Sequence, residues 1–370
     1  MRKLSIRIVG GSLAGLFAGI LLKRDGHDVK IYERSSSGLA GRGAGLVAQA
    51  EVFQMLRLLG LERLARIGVV AEERIYFNRD GSISERMNMP QTQISWDVLY
   101  STVASRFSED DYILGRRVHQ VTATKSGAVL RFANGETELV DLVIGADGLG
   151  SVVRSALNGQ SENQYAGYVA WRGLIAETAL PKEASALIDR FSFYITGGIH
   201  VLGYLVPGPH GEVAPGERRY NWVWFRPVNA ASLQAELTGQ HNRSFEFSLP
   251  RGELSLERCT KLYQDALTML PPAFAYAIRA EPMPSIQGIF DYESHHIAGQ
   301  HVALIGDAAF VARPHTAMGV AKAAGDALSL RECLHTGLEL SPALARYEAE
   351  RLPVGKAVVA YGRRLGATAL

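Results

Sequence analysis

The sequence predicts an α/β fold, in which a Rossmann-type nucleotide-binding domain, assembled from separated chain segments, is interrupted by an inserted antiparallel-sheet domain. Three observations carry this prediction. A glycine-rich turn, Gly10-Gly11-Ser12-Leu13-Ala14-Gly15, lies between an apolar strand pattern at residues 6–9 and a helical pattern at 13–24, and a second strand pattern at 29–32 runs into Glu33. Two later apolar runs, 139–144 and 301–305, lead into Gly145-Ala146-Asp147-Gly148 and Gly306-Asp307. Between those runs, residues 168–174, 191–195, 200–206 and 220–225 alternate aromatic and β-branched residues with others, the period of antiparallel strands.

The remaining elements follow the same rules. Val52, Phe53, Leu56 and Leu59 make one apolar face of a helix over 50–59, which Gly60 stops. Residues 74–77 and 83–87 form a hairpin across Asp80-Gly81, and a helix over 96–107 returns the chain. Asn134-Gly135 is a turn, and 207–216 is a Gly- and Pro-rich loop. Helical patterns cover 261–270, 272–280, 318–334 and 342–365. The expected organisation is nucleotide-binding segments at 1–73, 96–160 and 286–370, with a substrate domain formed by the 74–95 hairpin and residues 161–285.

Composition excludes several classes. The 370 residues are 47% hydrophobic and 21% charged, the proportions of a globular protein with a large core. Lys and Arg total 39 against 37 Asp and Glu, a net charge of +2, so no surface is set aside for neutralising phosphates and nucleic acid is not an expected partner. Cys259 and Cys333 are far apart and outside any metal-ligand spacing, which reads as a reduced, cytoplasmic protein. His295 and His296 lack cysteine or carboxylate companions and read as a solvated connection, so no metal is expected. The apolar run 8–22 is too short to span a bilayer and lacks a small-residue cleavage site, so neither membrane nor secretion is expected.

The glycine turn has a specific chemistry. Gly10 permits the tight turn and Gly15 close helix packing, while the helix N-terminus offers unpaired N–H groups and a positive dipole end to a pyrophosphate. Glu33 closes the next strand, where a carboxylate binds a ribose. Ser12 replaces the middle glycine of the usual fingerprint. Asp147 and Asp307 have an alternative reading, as caps of the turns that follow them.

The three motifs together, in this order and spanning nearly the whole chain, resemble those of the flavin-dependent aromatic hydroxylases, the class A FAD monooxygenases. Arg313-Pro314-His315-Thr316-Ala317-Met318-Gly319 and Ala166-Gly167-Tyr168-Val169-Ala170-Trp171-Arg172-Gly173 resemble most the members acting on hydroxypyridine-type rings. The resemblance implies a glutathione-reductase-like FAD domain and FAD as cofactor. NADH or NADPH would be the transient reductant, O2 and a small aromatic ring the substrates, and a flavin C4a-hydroperoxide the oxygen donor. It implies that Gly10, Ser12, Leu13, Ala14 and Gly15 meet the pyrophosphate, Glu33 the adenosine ribose and Asp307 the ribitol chain. Gly306 shapes the turn before Asp307, and Asp147-Gly148 lie where the pyrophosphate and the nicotinamide approach. Arg34, Arg42 and Val118 belong to the same cofactor set, and Pro314, Ala317, Met318 and Gly319 border the isoalloxazine with backbone N–H groups. Two positions depart from the family pattern: Trp96 stands where many relatives carry an Arg, and Ala317-Met318-Gly319 replaces Gly-Gln-Gly.

Hydroxylating an aromatic carbon is eased when a substrate hydroxyl loses its proton to a base, which sends electron density into the ring. His200 and Tyr204, four positions apart on one strand, share a face, as do the equivalent His and Tyr in the related hydroxypyridine hydroxylases. His315, in the flavin-facing loop, is the second candidate base. The structural alternative makes His200 a cap of the Gly197-Gly198 turn and Tyr204 a core residue. Trp222 and Trp224 either wall the pocket or fill the core. The rival functions are a flavin oxidase or dehydrogenase that removes hydride from its substrate, and a non-catalytic flavin-binding protein. A homodimer is compatible with the sequence.

Overall fold

The computed structural model describes residues 2–39, 41, 43, 45–47, 49–66 and 68–369. Its first sheet has the order Ala298–Gly299, Val302–Leu304, Leu142–Gly145, Ser5–Val9, Asp28–Tyr32 and Tyr112–Ile113. All neighbours are parallel except the short edge strand Ala298–Gly299. These strands are mainly apolar because helices cover them, as in other parallel sheets, with Ser5, Arg7, Asp28 and Lys30 the polar residues on the two strands Ser5–Val9 and Asp28–Tyr32. Ile6, Ile8, Ile31, Leu142, Val143, Ile144 and Leu304 are inaccessible to solvent.

Register places the functional turns together. Val9 pairs with Gly145 and with Tyr32, and Gly145 pairs with Leu304. The carboxyl ends of these strands therefore stop at one level, and the turns they feed emerge side by side. This is the edge at which α/β sheets bind ligands.

The second sheet runs Ser248–Leu249, Ser285–Glu293, Gln164–Ala176, Arg219–Pro227, Ile199–Val206, Arg190–Thr196, Glu73–Phe77 and Ile83–Met87. One pair departs from the expected antiparallel pattern, since Arg190–Thr196 runs parallel to Glu73–Phe77. That junction joins strands from distant parts of the chain, which no hairpin constrains. One face of this sheet carries Trp171, Val201, Leu205, Tyr220, Trp222 and Trp224 into a core shared with helices Leu256–Met269 and Pro272–Arg279. Trp222 and Trp224 are thus core residues, not pocket walls. The opposite face carries Tyr168, Arg172, His200, Tyr204 and Phe225.

Several element boundaries differ from the sequence pattern: the helix expected at 261–270 is Leu256–Met269, the terminal helix expected at 342–365 is Leu340–Ala369, and two further departures have a local cause. The apolar run 139–144 is two strands: Thr137–Val140 joins a three-stranded sheet with Val118–Ala123 and Ala128–Phe132, and Leu142–Gly145 enters the parallel sheet. Asp141 makes the break, its carboxylate accepting from Ser5 N at 2.8 Å and Ser5 Oγ at 2.7 Å. Helix Trp96–Ala104 ends three residues before the apolar pattern does, where Ser105, Arg106 and Phe107 make a tightened last turn.

Gly203 lies where the sheet admits no side chain: a Cβ there would sit 2.1 Å from the hydroxyl oxygen of the fully buried Tyr220. Gly203→Ala should lower unfolding stability by about 1–3 kcal/mol through overpacking, read as a lower urea midpoint at unchanged m. An unchanged midpoint would show that the Tyr220 ring yields freely.

Candidate functional site

The glycine turn after Ser5–Val9 is closed by contact as well as by conformation. Gly10 has φ +104°, and a Cβ at Gly15 would lie 2.0 Å from Gly10 O. Helix Leu13–Arg24 begins here; its N-cap Ser12 makes no side-chain capping bond, and the first intrahelical bond is Leu16 N to Ser12 O. The N–H groups of Leu13, Ala14 and Gly15 thus lack intrahelical partners, an end of a helix suited to an anion. Glu33, buried at the end of the adjacent strand, accepts from Gly11 N at 2.9 Å and Ser35 N at 2.8 Å. Arg116 N donates to Glu33 O, which ties the start of the strand holding the buried Val118 to this corner. Arg34 beside it is exposed, and Arg42 lies outside the described residues.

The two aspartates of the later motifs have different fates. Asp147 caps: its carboxylate accepts from Ser151 Oγ at 2.6 Å, Val152 N at 2.7 Å and Val153 N at 3.3 Å, while burial pushes its pKa up. Its side chain therefore organises the turn, and Gly148, at φ +74°, is what lies open next to it. Asp307 is 52% exposed, and among the described residues it pairs with Lys322 Nζ at 3.4 Å. Gly306 brings this turn against the first motif, a Cβ there meeting the Ala14 Cβ at 3.0 Å.

Three residues without a role in the sequence analysis hold these turns. Arg154, buried, donates to Ala308 O at 2.9 Å, Asp307 O at 3.0 Å and Gly148 O at 3.4 Å. Asp326 accepts from Gly306 N at 2.9 Å and from Arg351 Nε at 2.8 Å. Lys322 is 1% exposed, its ammonium making no hydrogen bond to a described residue. The apolar surroundings of these residues in sequence conceal that they are polar partners across the fold.

The loop before helix Gly319–His335 completes the cleft. Pro314–Thr316 is a single 3-10 turn, and Ala317 takes a left-handed conformation at φ 53°. That conformation is natural for the glycine usual at this position and strained for alanine. Gln49 Nε2 donates to Ala317 O at 3.1 Å, and Met318 N donates to Thr316 Oγ1 at 3.2 Å. Met318 makes no side-chain capping bond for the helix. Its first N–H groups remain an anion-favouring nest. Trp96 stacks on Tyr100 with ring centres 5.1 Å apart, and its ring occupies the space beside Gly43.

Against this loop, the second sheet's other face gathers a cluster of aromatic and imidazole rings. His200 pairs across the strands with Phe225, and Tyr204 with Asn221. Tyr204 stacks on Phe191 at 4.5 Å, burial raising its pKa against the opposing influence of Arg172. His200 and His315, alternatives in the sequence, meet: their ring centres are 5.2 Å apart, and His315 lies 4.2 Å from Phe225. Tyr168 hydroxyl and His315 Nε2 are 2.9 Å apart. His200 is 6% exposed, and neither of its ring nitrogens has a partner among the described residues. It caps no turn. Burial drives its pKa down to about 3, and that of His315 to about 4, so both rings are neutral.

The cleft fits a bound flavin dinucleotide: helix ends without caps, a turn that no side chain could enter, and a half-exposed carboxylate at Asp307. Comparison with known proteins agrees. A family model described as an FAD binding domain matches residues 3–224, and one described as FAD binding domain-like matches residues 165–291. The chain is 30% identical over 357 residues to the 2,6-dihydroxypyridine 3-monooxygenase of Paenarthrobacter nicotinovorans, covering 95% of this chain and 88% of that protein. It is 25% identical over 369 residues to the 6-hydroxynicotinate 3-monooxygenase of Bordetella bronchiseptica, covering 94% and 87%. The solved structure of 2,6-dihydroxypyridine-3-hydroxylase from Arthrobacter nicotinovorans matches with a TM-score of 0.92 at 27% identity, covering 100% of this chain and 93% of that one. A salicylate hydroxylase substrate complex shares the fold, with a TM-score of 0.76 at 21% identity over 98% of this chain and 88% of that one.

The two neutral histidines make stability depend on pH. A folded pKa of about 3 or 4 against an ordinary value of 6.5 means that the unfolded chain takes up protons first. Their contribution is present in full above 6.5 and is lost as pH falls towards those lower values. Urea unfolding should therefore show a shallower loss of stability between pH 6.5 and 4 for His200→Phe than for the wild type. Parallel pH curves would mean that His200 is not buried in its neutral form.

Proposed function

This chain belongs to the FAD-binding domain family and is an FAD-dependent aromatic monooxygenase, and from that membership we propose that it hydroxylates a hydroxypyridine-type heteroaromatic ring with NADH or NADPH as reductant. When bound, FAD supplies the chemistry of taking up reducing equivalents and activating O2 so that one oxygen atom reaches the ring. The chain's own share is to bind, to exclude water and to handle a proton.

The single observation that carries the reading is His200: a buried imidazole with both nitrogens unpartnered, on the open face of a sheet, beside the loop that borders the flavin cleft. Buried polar groups are normally hydrogen-bonded. An imidazole kept without a protein partner is suited to one that arrives with the substrate. In this reading one of its nitrogens accepts the proton of the substrate hydroxyl, and the electron pair left on oxygen enriches the ring carbon to be oxidised. Tyr204, held flat against Phe191, contacts the ring or its oxygen; His315 is the other polar group in reach of the same end. Phe191, Phe193 and Phe225 exclude water, which would otherwise compete for the activated oxygen.

The cofactor roles belong to the same proposal. The N–H groups of Leu13, Ala14 and Gly15 hold the pyrophosphate, with Gly10 and Ser12 shaping the turn. Glu33 holds the adenosine ribose, with Val118 and Arg34 near it, and Asp307 the ribitol. Gly148 and Gly306 leave room for the dinucleotide, and the loop of Pro314, Ala317, Met318 and Gly319 borders the isoalloxazine. The free buried thiols of Cys259 and Cys333 support a reducing compartment, and we place the enzyme in the cytoplasm. A homodimer belongs to the same proposal, and light scattering at twice the chain mass checks it.

The purified protein should be yellow, and acid precipitation should release FAD. With NADH or NADPH and a panel of hydroxypyridines, product mass should rise by one oxygen atom, with reductant consumed in step. Consumption of substrate without reductant would turn the reading to an oxidase. His200→Ala should slow hydroxylation by about 10²–10⁴-fold at unchanged FAD content, with partial recovery at a pH where the substrate hydroxyl is already ionised. Full activity in that variant would remove His200 from the chemistry.

A further inference from the structure

The two histidines at the pocket's end are not equivalent, and the residues behind them decide how they differ. Arg313 is fixed by Asp291, its Nε lying 3.1 Å from both carboxylate oxygens and its terminal nitrogen 2.9 Å from one. Its guanidinium carbon lies 5.5 Å from the centre of the Tyr168 ring, and its positive charge acts on the Tyr168 hydroxyl. The terminal helix closes over this group: a Cβ at Gly366 would come within 2.6 Å of the Arg313 guanidinium and 2.8 Å of the Tyr168 hydroxyl. Neither side chain has room to turn away.

An arginine only donates hydrogen bonds. The Tyr168 oxygen therefore turns its lone pairs, and not its proton, towards that cation. Its single proton points to the acceptor bonded to it among the described residues, His315 Nε2 at 2.9 Å. A neutral imidazole that accepts at Nε2 carries its own proton on Nδ1. His315 Nδ1 is buried and has no partner among the described residues, and so remains for the ligand.

We infer that Tyr168 and Arg313 hold His315 as its Nδ1–H tautomer, a hydrogen-bond donor to the substrate, so that accepting the substrate's proton falls to His200. Tyr168 and Arg313 are positioning residues in this arrangement, and it rests on the reading that the pocket takes a hydroxylated ring. Charge supports the division. Arg313 stands against protonation of His315 and stays in place throughout the reaction. His200 resists protonation chiefly because it is desolvated, and an anionic substrate oxygen would relieve that cost on arrival. The ligand must then present an acceptor as well as an ionisable hydroxyl to this end of the pocket, as a hydroxypyridine or its pyridone form does.

The test begins without substrate, so that its outcome is independent of the proposed activity. Nitrogen-15 NMR of the FAD-loaded protein, with the His315 signals assigned by their loss in His315→Asn, should show a protonated Nδ1 and an accepting Nε2. In Tyr168→Phe the equilibrium should move towards Nε2–H. A wild-type His315 protonated at Nε2 overturns the inference and leaves the monooxygenase reading intact. Activity gives the second arm, which also serves if Tyr168→Phe fails to fold. His315→Asn keeps an N–H near the Nδ1 position and should hydroxylate better than the acceptor-only His315→Asp by about 10²-fold, the scale of one preorganised donor. Equal rates in the two variants would overturn the donor role.

Discussion

The site depends on one buried cation that has no acidic hydrogen-bond partner among the described residues. Arg154 donates its hydrogen bonds to the backbone carbonyls of Gly148, Asp307 and Ala308 and to the side-chain amide oxygen of Asn163, and its guanidinium lies 3.6 Å from the centre of the Tyr292 ring. Burial lowers its pKa, with nearby anionic groups only partly opposing the effect. What it gains is geometric. A planar fork of donors reaches turns that follow two different strands of the parallel sheet and fixes their separation. The strands bring the turns to one level, and the guanidinium sets how far apart they stand, which is the width of the cleft that must admit a dinucleotide.

The Asp147 and Asp307 turns show how similar local sequences take opposite roles within that frame. After Asp147 the chain turns so that the N–H groups of Val152 and Val153 point back at its carboxylate, and the side chain is consumed locally. In the later turn the Gly306 N–H is taken by Asp326 from the neighbouring helix, which leaves the Asp307 carboxylate half-exposed, with Lys322 beside it. The difference lies in which group satisfies the turn's donors. Where another element supplies that acceptor, the local aspartate becomes available for a ligand.

The two faces of the second sheet make a similar contrast. Buried polar atoms without partners among the described residues lie on both sides, Tyr220 Oη and Trp222 Nε1 in the core and, on the cleft side, both nitrogens of His200 and, from the facing loop, His315 Nδ1. An unsatisfied group of this kind costs on the order of 1–3 kcal/mol. On the core side the gain from burying large aromatic surfaces offsets the cost, and nothing can approach. On the cleft side the unpaired imidazole nitrogens lie beside the loop Pro314–Thr316, which is why orphaned polarity carries the proposed ligand role only when read together with the face it occupies.

Much of this was legible along the chain because it is local. Helices Leu13–Arg24 and Ala50–Leu59 and strand Ile83–Met87 follow from side-chain period and from the residues that end them, Gly60 taking the left-handed conformation that closes its helix. The order of the three nucleotide motifs determines the cofactor class, and the period of two determines that His200 and Tyr204 share a face. Period cannot say which face is covered, and only the packing of helices Leu256–Met269 and Pro272–Arg279 against one side sent Trp222 and Trp224 inward and left His200 towards the cleft. The parallel pairing of Arg190–Thr196 with Glu73–Phe77 joins strands that no turn connects. The contact of Tyr168 with His315 spans 147 positions, and the bonds from Arg154 to the Asp307 turn span a similar distance. Such pairs are set by register between whole elements, a property of the assembled sheets that is absent from any short window of sequence.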